Sequence, residues 1–254
     1  MNSSEVSTAK VVSAGTGVAQ IAIVNNTVAV TPTSGFSGKT QVVVQVTQEN
    51  TVTTVKVPVT VLPQAPIKPI VDPQSSIETK IDWNASPNAI GYQVLVDGKI
   101  ACVTGASQTE CNVPQLLGPK SDVQVLSRGG SLLKSDPVPA VYTNKDPVVA
   151  GLVNFANNSY VLTSSEKAKL RELATTIKAE GFTNVVISGH TDPNTGVNNQ
   201  VLSENRAKET AEYLQKFVPK LTVKVEGFAA TQRTSNENND IVYANDRRAE
   251  IKVW

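Results

Sequence analysis

Asp192 and Arg206 are residues of types that can do binding chemistry. Asp192 comes soon after the apolar run Asn184-Val-Val-Ile-Ser188, and a carboxylate at a strand end can face a cation. If Ser203 caps the next helix, Arg206 lies in its first turn. A guanidinium there can take a carboxylate bidentately, and the free N–H groups of the helix start add a second attraction for an anion. The same two side chains could instead form a salt bridge that fixes the loop between them. Catalytic chemistry is poorly supplied. One His and two Cys in 254 residues disfavour a clustered His/Cys metal site or a Cys/His dyad. Glycoside hydrolysis wants two carboxylates flanking the bond, and no motif places a second acid near Asp192. The expectation is a binding protein without metal or cofactor, not an enzyme.

The composition agrees with a globular binding protein. Apolar residues make up 40% and charged residues 18%, so packed cores are expected. A net charge of +1 gives no electrostatic case for nucleic acid or an anionic membrane. No run approaches the ~18 apolar residues that a spanning helix needs. The opening MNSSEVSTAK has neither the basic start nor the apolar stretch of a secretory signal. A signal or anchor is therefore expected to have been removed from this chain.

The elements change character along the chain. Residues 1–143 alternate at period two, as in Thr40–Val46 and Val52–Val59, with turn chemistry at Asn25-Asn26 and Ser34–Gly38. Three prolines within Leu62–Pro69 read as a stiff linker. Strand runs then continue at Thr79–Trp83, Gly91–Val96, Lys99–Val103, Gln108–Val113, Asp122–Leu126 and Pro139–Tyr142, a spacing expected of a β-sandwich. Cys102 and Cys111 sit on two of these runs, with a turn signal at Thr104-Gly105 between them. That placement suits a cross-strand disulfide and an oxidising compartment, the alternative being two buried thiols.

After Lys145 the period becomes helical. Thr163-Ser-Ser-Glu166 is a capping box for a helix with Leu170, Leu173, Ala174 and Ile177 on one face, and Gly181 ends it. A second helix presents Ala207, Ala211, Leu214 and Val218 before Pro219. With strands at Gly151–Phe155, Asn184–Ser188, Leu221–Gly227 and Ala249–Val253, the expected order is β-α-β-α-β-β, an α/β sandwich.

Three separated motifs then carry a resemblance: Gly189-His190-Thr191-Asp192; Asn199 with Leu202-Ser203 and Arg206-Ala207; and Asp246-Arg247-Arg248-Ala249-Glu250-Ile251. Residues 148–254 resemble the OmpA-like C-terminal domain, a peptidoglycan-associating module shared with Pal lipoproteins and flagellar stator proteins. Residues 66–143, through Trp83-Asn-Ala-Ser-Pro87 and Gly91-Tyr92-Gln-Val94, resemble a fibronectin type III module. Residues 1–63, through Val30-Thr-Pro32 and Gly35-Phe36-Ser37-Gly38, resemble a bacterial immunoglobulin-like segment.

The OmpA-like resemblance implies non-covalent binding of the diaminopimelate of peptidoglycan stem peptides, outside the cytoplasm, in the cell wall or periplasm. The free end of that side chain is a zwitterion, so Asp192 would meet its ammonium and Arg206 its carboxylate. Asn199, Thr191, Asn157, Asn158 and Arg247 are further expected contacts, while His190 is expected to pack and Leu202 to be core. Thirteen residues separate Asp192 from Arg206, one fewer than in common members. Asp246 replaces a more usual Asn, and Asn157 a second aromatic. These departures put the contacted atoms in question and open the way to amidated diaminopimelate. A competing expectation is a structural or adhesive protein whose pocket no longer binds the wall, with a protein partner at the β-modules.

Overall fold

The computed structural model describes residues 8–24, 27–48, 51–143, 146–194 and 198–254; the turn expected at Asn25-Asn26 lies outside the described residues. Five strands open the chain: β1 (Thr8–Ala14), β2 (Val18–Val24), β3 (Thr27–Pro32), β4 (Gly38–Gln48) and β5 (Thr51–Val61). Their period-two Val/Thr pattern gives a three-stranded antiparallel sheet in the order β1-β4-β5, with Val42 and Val44 of the central strand buried. Strands β2 and β3 pair separately.

Next come β6 (Ile67–Ser75), β7 (Glu78–Asn84), β8 (Gly91–Val96), β9 (Lys99–Gly105), β10 (Glu110–Val113), β11 (Val123–Arg128), β12 (Val138–Pro139) and β13 (Val141–Tyr142). They form two sheets, ordered β10-β7-β6-β13 and β12-β11-β8-β9. Trp83 and Tyr92 meet edge to face with centroids 5.3 Å apart, and the Tyr92 hydroxyl accepts the Ser86 N–H at 2.8 Å. Cys102 and Cys111 form a disulfide with a Cα separation of 6.6 Å. The bridge does not cross a single hairpin, because β9 pairs with β8 while β10 pairs with β7; it joins edge strands of different sheets. The proline-rich connection is also shorter than expected, since β6 begins at Ile67. Its remaining residues are tied down by Asn88, whose side chain donates to the Leu62 carbonyl at 3.1 Å and accepts the Gln64 N–H at 2.7 Å.

The chain divides into two compact units, one of Met1–Pro69, Asp82–Cys111 and Asp122–Val141, the other of Ile70–Ile81, Asn112–Ser121 and Tyr142–Trp254. The second unit contains β14 (Val148–Asn154), α1 (Ser164–Glu180), β15 (Asn184–Gly189), α2 (Asn199–Gln215), β16 (Thr222–Gly227), α3 (Asp240–Asp246) and β17 (Arg248–Val253). Thr163 caps α1 by accepting the Glu166 N–H, and Gly181 ends it at φ 79°. The short α3 departs from the expected order. Seven residues are too few for an apolar period to show, and the helix is held by Asn239, which accepts the Val242 N–H at 3.0 Å.

The sheet order is β14-β17-β15-β16, with β15 parallel to β16 and β17 antiparallel to both its neighbours. Leu170, Ala174 and Ile177 of α1 and Ala207, Ala211 and Leu214 of α2 share a core with Val185, Ile187 and Ile251 of the sheet. This pairing brings three distant segments to one sheet end. Gly189 closes β15 opposite both Gly227 and Ala249. Beyond it the His190 N–H reaches the Arg248 carbonyl at 2.9 Å and the Thr191 N–H the Ala229 carbonyl at 2.8 Å. The Phe155 N–H binds the Arg247 carbonyl at 2.8 Å.

Candidate functional site

Asp192 leaves this sheet end buried, at 1% relative exposure. One carboxylate oxygen accepts the Asn194 N–H at 2.8 Å and the other accepts Nη1 of Arg247 at 2.9 Å. Arg247 stands between α3 and β17, and its Nε also donates to the Phe155 carbonyl at 3.3 Å. The ion pair is thus anchored to both the β14 and β15 ends of the sheet.

Arg206 occupies a different place in its helix from the one expected. Asn198, not Ser203, caps α2, because its side chain accepts the N–H groups of both Gln200 and Val201. Ser203 lies inside the helix, donating its hydroxyl proton to the Gln200 carbonyl and accepting the Ala229 N–H. Arg206 is therefore about two turns into α2, away from the free N–H groups of the helix start. Its guanidinium is fully buried and donates to three backbone carbonyls: His190 at 2.7 Å, Ser159 at 2.9 Å and Ala156 at 3.1 Å. It also lies 5.3 Å from the centre of the Phe155 ring. Burial pulls its pKa down to about 10, an effect that Asp192 opposes and Arg247 reinforces.

Asn158 adopts a left-handed conformation at φ 53°, which Asn tolerates better than most side chains. It shapes the turn that delivers the Ala156 and Ser159 carbonyls to Arg206, and both Asn157 and Asn158 are exposed. Thr191 is buried, with a hydroxyl that has no partner among the described residues. The structure thus brings Asp192, Thr191, Arg206, Arg247 and the Asn157-Asn158 turn to one end of the sheet. Asn199 is the first residue of α2, seven positions before Arg206.

The surrounding residues hold this end in shape. His190 is buried and stacks on Phe228, with centroids 5.6 Å apart and planes 13° from parallel. Burial, with Arg248 adding to it, pulls its pKa down to about 4, so the imidazole is neutral at pH 7. Arg248 pairs with Glu250 at 2.8 Å. Sequence reasoning missed the clamp between Arg233 and Asp246. That buried carboxylate accepts Arg233 Nε at 2.9 Å, and the Thr234 N–H at 2.6 Å and hydroxyl at 2.9 Å. Burial alone would raise the Asp246 pKa, but Thr234 and Arg233 together hold it below the usual carboxylate value. The available signal was Asp246 itself, an acid placed just before the last strand.

One anion and two guanidinium groups converge here, a set that can hold a zwitterion or a carboxylate. Among the described residues no group of three or more His, Cys, Asp and Glu side chains could hold a metal ion, and no helix is long and apolar enough to cross a membrane.

No curated protein sequence matches the chain. Among solved structures, a peptidoglycan-associated lipoprotein from Burkholderia pseudomallei is 20% identical with a TM-score of 0.37, over 41% of this chain and 89% of that one. The cell wall anchor of the T6SS from Pseudomonas aeruginosa is 23% identical with a TM-score of 0.36, over 41% and 78%. The C-terminal domain of Helicobacter pylori MotB is 18% identical with a TM-score of 0.35, over 42% and 84%. Residues 154–247, spanning β14's last residue to the Arg247 of the site, match the sequence model of the OmpA family and form an OmpA-like domain.

Proposed function

We propose that residues 148–254 bind cell-wall peptidoglycan non-covalently, through the diaminopimelate of its stem peptide. The observation that carries this reading is the pair of buried Asp192 and partly exposed Arg247 beside the Arg206 guanidinium. A zwitterionic ligand end exchanges one ion pair for two, its ammonium taking Asp192 and its carboxylate a guanidinium. The zwitterion adds no net charge, so the guanidinium left without an anion after the exchange is matched by one without an anion before it. The match of residues 154–247 to the OmpA family supports the same ligand class. Residues 1–63 and 66–143, read as immunoglobulin-like and fibronectin type III-like modules, would space or present a partner surface within the cell wall or periplasm. Many copies on a polymeric ligand raise modest single-site affinity through avidity.

Calorimetric titration of the full chain with meso-diaminopimelate and with purified sacculi tests this. Saturable binding is expected, lost in Asp192→Ala and in Arg206→Ala, and weakened in Arg247→Ala. An amidated diaminopimelate arm reads how far the ligand carboxylate matters. A second reading has its own support: Asp192 is already paired and Arg206 already holds three carbonyls, as a latch between segments would. Folded protein that binds neither ligand would favour that latch.

A further inference from the structure

The opposite end of the same sheet carries an apolar groove that the peptidoglycan reading does not use. It is a cavity of about 380 Å³ beside the start of β15 and the C-terminal ends of α1 and α2. That volume falls within the ~300–1,000 Å³ typical of small-molecule sites. Phe182 and Leu221 are buried in its floor, whereas Phe217 remains 41% exposed on its wall. Lys120, Lys178 and Lys220 also line it, all exposed, and none of the three forms an ion pair among the described residues. Among the described residues no carboxylate lines the groove. The nearest acid along α1, Glu180, is engaged by the Gly118 N–H and the Ser121 hydroxyl.

Helix C-termini are electronegative, so some of this lysine charge offsets the backbone. Two helix ends carry roughly −0.5 each and the Glu180 carboxylate, bonded there to neutral donors, roughly −1 more, against three ammonium groups, which leaves roughly one positive charge over. Dipole compensation also gives no reason for a half-exposed Phe217 among the lysines. An apolar trough with surplus positive charge at its rim fits an aliphatic chain that ends in an anion. Asp192 follows the six-residue β15, which spans about 20 Å, so the two sites lie at opposite ends of that strand.

We propose that this groove binds a free aliphatic carboxylate, its chain lying against Phe182, Phe217 and Leu221 and its head held by the lysines. The proposal does not rest on the peptidoglycan reading, and diaminopimelate titration leaves it untouched. Its test is NMR titration of the full chain with decanoate below its micellar concentration, with decyltrimethylammonium as the cationic counterpart. The expected result is saturable, one-to-one binding with amide shifts confined to residue 120 and to residues 178–183 and 217–221, and at least tenfold weaker binding of the cation. Lys178→Gln with Lys220→Gln should weaken decanoate at least tenfold while circular dichroism and thermal midpoint stay unchanged. Equal binding of both amphiphiles, no saturable binding, or association with acidic vesicles alone would each overturn the proposal, the last in favour of a membrane surface.

Discussion

The guanidinium of Arg247 stands 2.9 Å from the carboxylate of Asp192, although the two lie 55 positions apart in the chain. The partners are unequally buried, with 2% of the Asp192 side chain exposed and 19% of that of Arg247. Removing either leaves the other behind, and the stranded charge decides the cost.

Arg247→Ala is therefore expected to destabilise more than Asp192→Ala. The first leaves a nearly dry carboxylate with the Asn194 N–H as its one donor among the described residues, costing about 3 kcal/mol; the second leaves a cation that water can still reach, costing about 1–2 kcal/mol. The double variant should lose less than the sum. Urea midpoints of the four proteins check the order, and equal losses from the two single variants would contradict it.

Gly189 is the close-approach point between β15 and α2. A Cβ built there would overlap the Ser203 carbonyl oxygen and lie 3.2 Å from the Ala207 nitrogen. Both are helix backbone and cannot swing aside as a side chain can. Gly189→Ala should cost about 1–3 kcal/mol or more, by pushing α2 and its Arg206 away from the carbonyls they serve. Chemical denaturation reads the loss, and amide shifts in residues 155–159 report the displaced Arg206.

The legibility of this site in sequence follows from distance along the chain. Thr163 and Gly181 act within one helical turn, and the pattern around them predicts their roles correctly. Ser203 misleads for a local reason. Ser is a good cap, but Asn198 lies one turn and a half earlier and satisfies two N–H groups at once, so the helix begins there. The glycine of the His-Thr-Asp motif is visible as a motif, whereas its cause, the backbone of α2, exists only once the sheet and helix are packed. Arg247 is visible as a candidate. Its partner is not, because only the antiparallel pairing of β17 with β15 brings the two motifs together.

His190 gives the fold a specific acid sensitivity. The unfolded chain binds its proton near pH 6.5, while the buried imidazole resists until about pH 4. Stability should be level above pH 6.5 and fall between 6.5 and 4 as the unfolded state takes up that proton, by up to about 3 kcal/mol. Neither ring nitrogen has a partner among the described residues, so His190→Leu strands no hydrogen bond there and should flatten this part of the profile. Carboxylates titrate in both proteins, so the difference between the two stability curves isolates the imidazole. Parallel curves would mean that His190 is solvated in the folded state.

Arg206→Lys separates shape from charge at the candidate site. The guanidinium reaches carbonyls of Ala156, Ser159 and His190 from two loops at once, which a planar fork of donors can do and a compact ammonium cannot. At least one buried carbonyl should lose its donor, at a cost of about 1–3 kcal/mol. Hydrogen exchange should rise in the turn at residues 156–159. Arg247→Lys is the matched control, since a lysine there can still reach a single carboxylate, and it should cost less than Arg206→Lys. If instead the two substitutions cost the same, the three-carbonyl bracket contributes little to holding β14, β15 and α2 in register.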